Sequence, residues 1–197
     1  MKLAERKKLS PPMTEEQLRQ STVGELKPFE SSIILVEYDP VWAENFAREA
    51  RRINAALGDR ALRVEHVGST SVPGLMAKPI IDILLVVADS ADEPSYVPAL
   101  EAAGYVLRIR EPDWHQHRLF KGPDININLH IFTQSSEEIR RTLLLRDWLR
   151  TNEADRELYA RTKRELAIKK WKYVQNYADA KGEVIEGILA RAQASSG

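Results

Sequence analysis

One short turn and one acidic residue are the part of this sequence that could do chemistry. Gly68 and Ser69 follow an apolar stretch, and Asp82 lies thirteen residues after Ser69 in a run of isoleucine, leucine and valine. The N–H groups and hydroxyls of such a turn can bind phosphate oxygens, and Mg²⁺ is a suitable partner for a buried carboxylate when substrate phosphates accompany it. The spacing indicates a site for a metal ion and a triphosphate, or a carboxylate that only orders the sheet by pairing with Lys78 or Arg63.

The four histidines are candidate bases or metal ligands. His66 lies two residues before Gly68 of the glycine–serine turn, where it could contact phosphate, act as a general base or simply hydrogen-bond to the backbone. His130 lies on the polar side of an alternating segment, which favours a cleft and a second candidate base. Together with His115 and His117 they could form a zinc site, although that pair lies in an apparent loop.

Basic residues near these positions are candidates for neutralising phosphate charge. Lys78 precedes the segment of Asp82, and Arg118 and Lys121 lie in a later short strand. Cations that face a transferring phosphoryl group stabilise it. The alternative is a solvated edge strand for Arg118 and Lys121, and an ordinary ion pair for Lys78.

The elements that must position these residues form an α/β pattern. Residues 80–87 are almost continuously apolar, which predicts a strand buried on both faces of a mixed or parallel sheet. Residues 125–132 alternate between apolar and polar, which predicts a strand with one polar face. Asp39 and Pro40 are typical of a helix start and Gly58 of a helix end. The other predicted elements are strands at 33–37, 60–67, 105–109 and 118–121 and a helix at 96–103.

Three regions follow from this pattern. Residues 1–30 form a polar N-terminal extension with a short helix, for which Thr14 and Gln17 supply a reciprocal capping pair. Residues 31–135 form the α/β core. Residues 136–197 are predicted to be two or three C-terminal helices that pack on that core.

Composition limits the class of protein. The 197 residues include 29 Lys and Arg, 29 Asp and Glu and no cysteine. The absence of cysteine excludes a disulfide scaffold and thiolate chemistry and fits the cytoplasm, where we expect the protein. No apolar run approaches the roughly 18 residues of a membrane span, so we expect no membrane partner. A chain without net charge is a poor candidate for nucleic-acid binding, because phosphate neutralisation supplies most of that affinity.

The central segment resembles the signature of a known family. Residues 66–83 read HVGSTSVPGLMAKPIIDI and closely resemble the GrpB family, which is similar in fold to the nucleotidyltransferase superfamily. Residues 37–46, 118–121 and 128–130 resemble its other core segments, and the C-terminal helices match at Tyr159, Lys163, Leu166, Tyr177, Lys181 and Ile185. The resemblance covers about residues 33–192.

The resemblance implies a nucleotidyltransferase-like mixed sheet with flanking helices and a C-terminal helical segment. It implies binding of ATP or another nucleoside triphosphate with Mg²⁺ or Mn²⁺, and transfer of a nucleotidyl group to a small molecule. Asp82 would hold the metal, and His66 or His130 would be the base. The phosphate-binding residues would be Gly68, Ser69, Thr70, Lys78, Arg118, Lys121 and Lys163.

The sequence departs from the superfamily's acidic pattern. The second acid is replaced by Leu84, and the position of the third offers only Asn128 or His130. Glu65 and Asp124 are the remaining acidic candidates. A site with a single metal is one alternative, and a non-catalytic module for a nucleotide or another phosphorylated or anionic metabolite is another. The family domain also occurs fused to dephospho-CoA kinase, which makes CoA precursors candidate ligands by association. A third alternative is a protein-interaction module that docks through its C-terminal helices.

Overall fold

A five-stranded mixed sheet forms the centre of the structure, a computed structural model that describes residues 12–29 and 32–195. The strands are β1 (Arg63–Val67), β2 (Ile81–Val87), β3 (Val106–Glu111), β4 (His117–Lys121) and β5 (Ile127–Thr133). Their order in the sheet is β1-β2-β5-β4-β3, and only β2 and β5 pair in parallel. This central parallel pair explains the apolar character of β2, which is covered on both faces.

One face of the sheet packs on two helices, α2 (Val41–Leu57) and α3 (Val97–Ala102). The Asp39 carboxylate accepts a hydrogen bond from the backbone N–H of Val41 at 2.9 Å, so it caps α2 as the sequence predicts. Gly58 ends the helix with a φ of +56°. The buried core on this face includes Trp42, Ile53, Ile83, Leu85, Leu100 and Phe120.

The opposite face of the sheet carries the C-terminal helices. Val67, Leu84 and Val86 meet Phe132 and Leu143 there in a second apolar cluster. The helices are α4 (Glu137–Thr151), α5 (Glu153–Ala167), α6 (Val174–Asp179) and α7 (Gly182–Ser195). A further cluster joins α4, α5 and α7 to the segment that follows the glycine–serine turn.

The predicted fold class, a mixed sheet with flanking helices, is confirmed. The short helix α1 (Glu15–Ser21) has the predicted capping pair, while residues 1–11 of the predicted extension lie outside the described residues. The predicted strand at 33–37 is wrong, because only Val36 makes a bridge, to Ala77. The C-terminal region holds four helices rather than two or three, since Asn152 ends α4 and caps α5. None of the helices in the described part of the chain has the length and apolarity needed to cross a membrane.

Candidate functional site

The glycine–serine turn lies directly against the Asp82 carboxylate. Gly68 has a φ of +68°, and a Cβ added there would overlap the carboxylate oxygen. The Ser71 hydroxyl donates to the Gly68 carbonyl at 2.6 Å, and the Thr70 hydroxyl donates to the Ile80 carbonyl at 3.1 Å. These bonds tie the turn to the start of β2, so the acid and the turn meet as the spacing predicts.

Strand register places Asp82 in a row of residues that runs across the sheet. Val67 pairs with Asp82, Asp82 with Asn128, and Asn128 with Lys121. Cross-strand partners share one face of a sheet, so all four side chains lie on the face of the C-terminal helices. In the next row, His130 pairs with Leu84 and faces the same side.

Asp82 has two polar neighbours on β5. The Asn128 side-chain N–H donates to Asp82 Oδ1 at 2.8 Å, and His130 Nε2 lies 3.6 Å from the same oxygen. Burial raises the pKa of Asp82, but the interactions with His130 and Asn128 outweigh it and hold that pKa below its ordinary value. The Asp82 side chain is 28% exposed, which leaves an ionised carboxylate within reach of a ligand.

Three lysines lie near enough to this carboxylate to interact with its charge. The Lys121 ammonium donates to the Asn128 side-chain oxygen, while Lys78 and Lys181 lie 5.3 and 4.7 Å from the ring centroid of Tyr177. Burial lowers the pKa of each lysine, and the Asp82 charge opposes that change in each case. Lys181 feels Asp179 as well. Three cations around one carboxylate make this region attractive to a polyanion.

A chain of ring nitrogens leads from Asp82 to a second carboxylate. His130 Nδ1 lies 3.0 Å from His117 Nε2, and His117 Nδ1 lies 2.6 Å from Glu111 Oε2. The two imidazole rings stack with an interplanar angle of 19°. His117 is only 4% exposed, and burial lowers its pKa to about 4. His117 is therefore neutral at pH 7.

Lys163 is buried too deeply for the phosphate-binding role that the family resemblance implies. Its ammonium donates to the Met76 carbonyl and lies 5.0 Å from the Tyr159 ring centroid. Lys163 is 2% exposed, and burial lowers its pKa to about 7. It fastens the segment after the turn to α5 rather than facing the site. Tyr159 interacts with the Ser69 hydroxyl, although burial raises the pKa of Tyr159 to about 12.

The structure places His66 and Arg118 outside the predicted site at Asp82. His66 pairs with Ile83, so it faces α2, where its ring stacks on Phe46 and its Nε2 lies 3.1 Å from the Thr70 hydroxyl. Arg118 also faces away from Asp82, and its guanidinium donates to Glu93 at 2.6 Å. Side chains alternate along a strand, so neither residue shares the face of Asp82. His66 and Thr70 hold the turn from behind.

The remaining acidic and zinc candidates do not assemble at Asp82. Glu65 pairs with Arg63 and Arg146, and Asp124 pairs with Arg52. Within residues 12–29 and 32–195, no group of three His, Cys, Asp or Glu side chains could hold a metal ion. The predicted four-histidine zinc site is therefore wrong.

A cavity of about 160 Å³ opens beside the turn. Its walls come from α4, α5 and α7, and Tyr159 forms part of the boundary with the turn. The apolar part of its lining includes Leu145, Leu149, Ile185 and Leu189. A ligand with its phosphates at Ser69 would have room there for a less polar portion.

Lys181 and Glu111 were not among the predicted site residues, and His117 was predicted only as a zinc ligand. The spacing Tyr159–Lys163 recurs as Tyr177–Lys181, and each lysine ammonium lies over the ring of its own tyrosine. That repeated spacing is the signal by which Lys181 could have been found. Glu111 gives no such signal, because the β3–β4 hairpin alone brings it to His117.

Comparison with known proteins agrees with this architecture. The sequence profile of GrpB protein matches residues 32–191. A UPF0157 protein of Halalkalibacterium halodurans is 62% identical over 186 residues, which cover 94% of this chain and 95% of the relative. A dephospho-CoA kinase of Mycolicibacterium paratuberculosis is 33% identical over 156 residues, which cover 66% of this chain and 38% of that enzyme.

A solved structure shows the same fold. The crystal structure of conserved protein GrpB from Enterococcus faecalis superimposes with a TM-score of 0.72 at 33% sequence identity. The match covers 83% of this chain and 99% of that one. With a profile match over most of its length and a close relative over nearly all of it, the chain belongs to the GrpB family.

Proposed function

We propose that this protein binds the polyphosphate of a nucleoside triphosphate together with one divalent cation, and transfers the nucleotidyl group to a small molecule. One observation carries the proposal: the Asp82 carboxylate lies against the Gly68 turn, and three lysines are near enough to interact with its charge. Lysines concentrated about a single acid favour a ligand with several negative charges.

The turn and the lysines supply complementary parts of a phosphate site. The donors of the turn are the backbone N–H groups of Ser69 and Thr70 and the Ser69 hydroxyl, and Lys78, Lys121 and Lys181 supply charge. Polyphosphate binding replaces the repulsion among these ammonium groups with attraction. The cavity between α4, α5 and α7 leaves space beside Ser69 for the rest of the ligand.

The residues present fit one divalent cation. Asp82 Oδ1 and His130 Nε2 are 3.6 Å apart on one face of the sheet, and both side chains are partly exposed. A cation held by these two residues would neutralise charge on the phosphate oxygens. If Asp82 and phosphate oxygens hold the cation without His130, this nitrogen of His130 is free to be the base for an acceptor hydroxyl, since His66 faces the other side of the sheet.

Calorimetric titration with each of the four nucleoside triphosphates, in Mg²⁺ and separately in Mn²⁺, tests the binding. We expect binding of at least one of them, and we expect Lys181→Met to weaken it by about tenfold, the loss of one charge-assisted contact. Lys170→Met is the matched control, because Lys170 is an exposed lysine outside the site. Absence of binding with all four nucleotides would refute the proposal.

A second candidate, binding without transfer, is favoured by a specific feature. Leu84 occupies the position of the superfamily's second acid and is 1% exposed in an apolar cluster, so this position supplies no ligand for a second metal ion. Pyrophosphate release from the bound nucleotide, measured with a panel of hydroxyl-bearing acceptors, separates the two candidates. Nucleotide binding that persists in Asp82→Asn without pyrophosphate release from the wild type favours the binding module. Dephospho-CoA belongs in the ligand panel because of the similarity to dephospho-CoA kinase.

A further inference from the structure

We propose that the cavity between α4, α5 and α7 binds an uncharged alcohol with a compact apolar body of about six carbon atoms, and that this alcohol is the acceptor. The inference rests on the proposed function only in naming the alcohol as the acceptor, because its binding needs no nucleotide. The cavity is thereby assigned to the acceptor and not to the nucleoside. In the transfer, the alcohol oxygen bonds to the α-phosphorus, pyrophosphate leaves with the electron pair of the broken bond, and the hydroxyl proton goes to solvent.

Apolar side chains from two helices form much of the cavity wall. Leu145 and Leu149 come from α4, and Ile185 and Leu189 come from α7. Leu149 and Leu189 are buried, whereas Leu145 and Ile185 pack against an apolar cluster and are still partly exposed. Apolar surface that stays uncovered between packed helices favours an apolar ligand, because binding removes that surface from water.

The volume of the cavity indicates the size of the ligand. The cavity measures about 160 Å³. An engineered cavity of about 150 Å³ with a leucine, isoleucine and phenylalanine lining binds benzene, so a single carbon ring fits a space of this size. A whole nucleoside is larger. The ring nitrogens and amino groups of a nucleobase would also lose their hydrogen bonds to water against aliphatic walls.

The charged residues of the lining are already paired, which favours an uncharged ligand. Arg141 contacts Glu186 at 2.6 Å and Glu138 at 3.5 Å. Arg146 contacts Glu65 at 2.6 Å. A charged group that entered the cavity would lose its hydration and would have to compete with these ion pairs.

The uncharged polar groups of the lining are hydroxyls. Ser69 and Tyr159 line the cavity and interact with each other, and Thr142 supplies a further hydroxyl. A hydroxyl both donates and accepts hydrogen bonds, so these residues suit an alcohol. An alcohol that bonds to Ser69 has its oxygen at the turn that binds phosphate in the proposed function.

The wild-type protein without nucleotide provides the first test, with benzyl alcohol as the probe. We expect NMR to show nuclear Overhauser effects from the ring protons of the probe to the methyl groups of Leu145, Leu149 and Ile185. Titration should give a dissociation constant of about 1 mM. Benzoate and benzylammonium carry the same ring with opposite charges, and we expect each to bind at least about tenfold more weakly.

Variants that change the cavity volume provide the second test. Leu145→Phe fills the cavity with a ring, and we expect the affinity for benzyl alcohol to fall at least about tenfold. The matched control is Ile168→Phe, because Ile168 is 88% exposed and does not line the cavity. Ile185→Ala enlarges the cavity, and we expect it to prefer naphthylmethanol, with its fused rings, to benzyl alcohol, the reverse of the wild type.

Pyrophosphate release tests the role of the alcohol as acceptor. With a bound nucleoside triphosphate and Mg²⁺, we expect release to require an alcohol that binds in the cavity, and we expect Leu145→Phe to lower the rate. An equal rate in the wild type and in folded Leu145→Phe would overturn the assignment of the acceptor.

Three results would each overturn the binding site. They are a wild-type spectrum without Overhauser effects to the cavity methyl groups, equal affinity for benzyl alcohol and benzoate, and unchanged affinity for benzyl alcohol in folded Leu145→Phe. The wild-type spectrum needs no variant, so the test does not depend on how Leu145→Phe folds. Binding of the alcohol without binding of any nucleotide would remove the proposed function and leave the cavity site in place. Nucleotide binding without an alcohol in the cavity would remove this inference alone.

Discussion

The backbone of Gly68 packs so closely against the Asp82 carboxylate that a side chain at position 68 would fit only if the carboxylate moved. The turn residue is thus a glycine for two reasons, its positive φ and its contact with the acid. The absence of a Cβ at Gly68 leaves room for the Asp82 carboxylate. It also leaves the backbone of the turn open to a ligand.

Gly68→Ala should therefore lose both stability and ligand binding. Gly68 has a φ of +68° and a ψ of −172°, a region almost restricted to glycine, so we expect a destabilisation of about 1–3 kcal/mol. Urea unfolding measures this change, and titration with inorganic triphosphate measures binding. Gly58→Ala is the control, because Gly58 also has positive φ but an added Cβ meets no atom within 4 Å. Equal triphosphate binding by the two folded variants would contradict the role given to the overlap.

Acid should destabilise the protein through its buried histidines. Burial lowers the pKa of His66 from 6.5 to about 4. Between these values the unfolded chain binds a proton that the native protein does not, so stability falls as the pH drops from about 6.5 to 4, by about 3 kcal/mol for this residue. His66→Gln should flatten the dependence of the unfolding free energy on pH over that interval, while the exposed His115→Gln should not. A variant His66→Gln with an unchanged pH dependence would show that His66 is not buried neutral.

Lys163 should make the protein more stable as the pH rises into the alkaline range. Burial lowers the pKa of Lys163 to about 7, against 10.5 in the unfolded chain. Its burial is most destabilising below about pH 7, and that destabilisation disappears as the pH rises towards 10.5. The unfolding free energy of the wild type should thus rise relative to that of Lys163→Met between pH 7 and 10, as measured in urea. A difference that stays constant across this range, as we expect for the exposed Lys170→Met, would disprove the assignment.

Asp155 should be the main polar support of the C-terminal helices. Its carboxylate accepts from the Trp148 indole N–H at 2.7 Å and from Arg191 at 3.0 Å, which links α4, α5 and α7. Asp155→Ala leaves the indole N–H without an acceptor, and we expect a loss of about 2–3 kcal/mol in urea unfolding. Asp147→Ala removes an exposed carboxylate from α4 and should change stability by less than about 1 kcal/mol. Similar losses in the two variants would argue against the buried network.

The part of the site made by local sequence was predictable. The Gly68 turn, the apolar strand of Asp82 and the polar face of Asn128 and His130 all follow from residue types and a period of two. The same period shows why Arg118 had to be excluded, because it lies three residues before Lys121 and residues at odd separations on a strand face opposite sides.

The rest of the site depends on packing that no local pattern reveals. Lys181 is near enough to interact with the Asp82 charge only because the helices on either side of it pack against other parts of the chain, and the sequence between residues 137 and 197 predicts helices without their directions. The β3–β4 hairpin brings Glu111 to His117, and the pairing of β4 with β5 brings His117 to His130. Such contacts join residues that are distant in sequence, and their chemistry is visible only when the sheet order is known.

Tyr177 holds two like charges from different parts of the chain on one ring, Lys78 from the segment before β2 and Lys181 from the segment before α7. An anion bound between the two ammonium groups would link the two parts of the chain, because one of its oxygens would bind Lys78 before β2 and another would bind Lys181 before α7. Binding of such an anion would then make the C-terminal helices more rigid, so they would resist proteolysis and heat most strongly when the site is occupied.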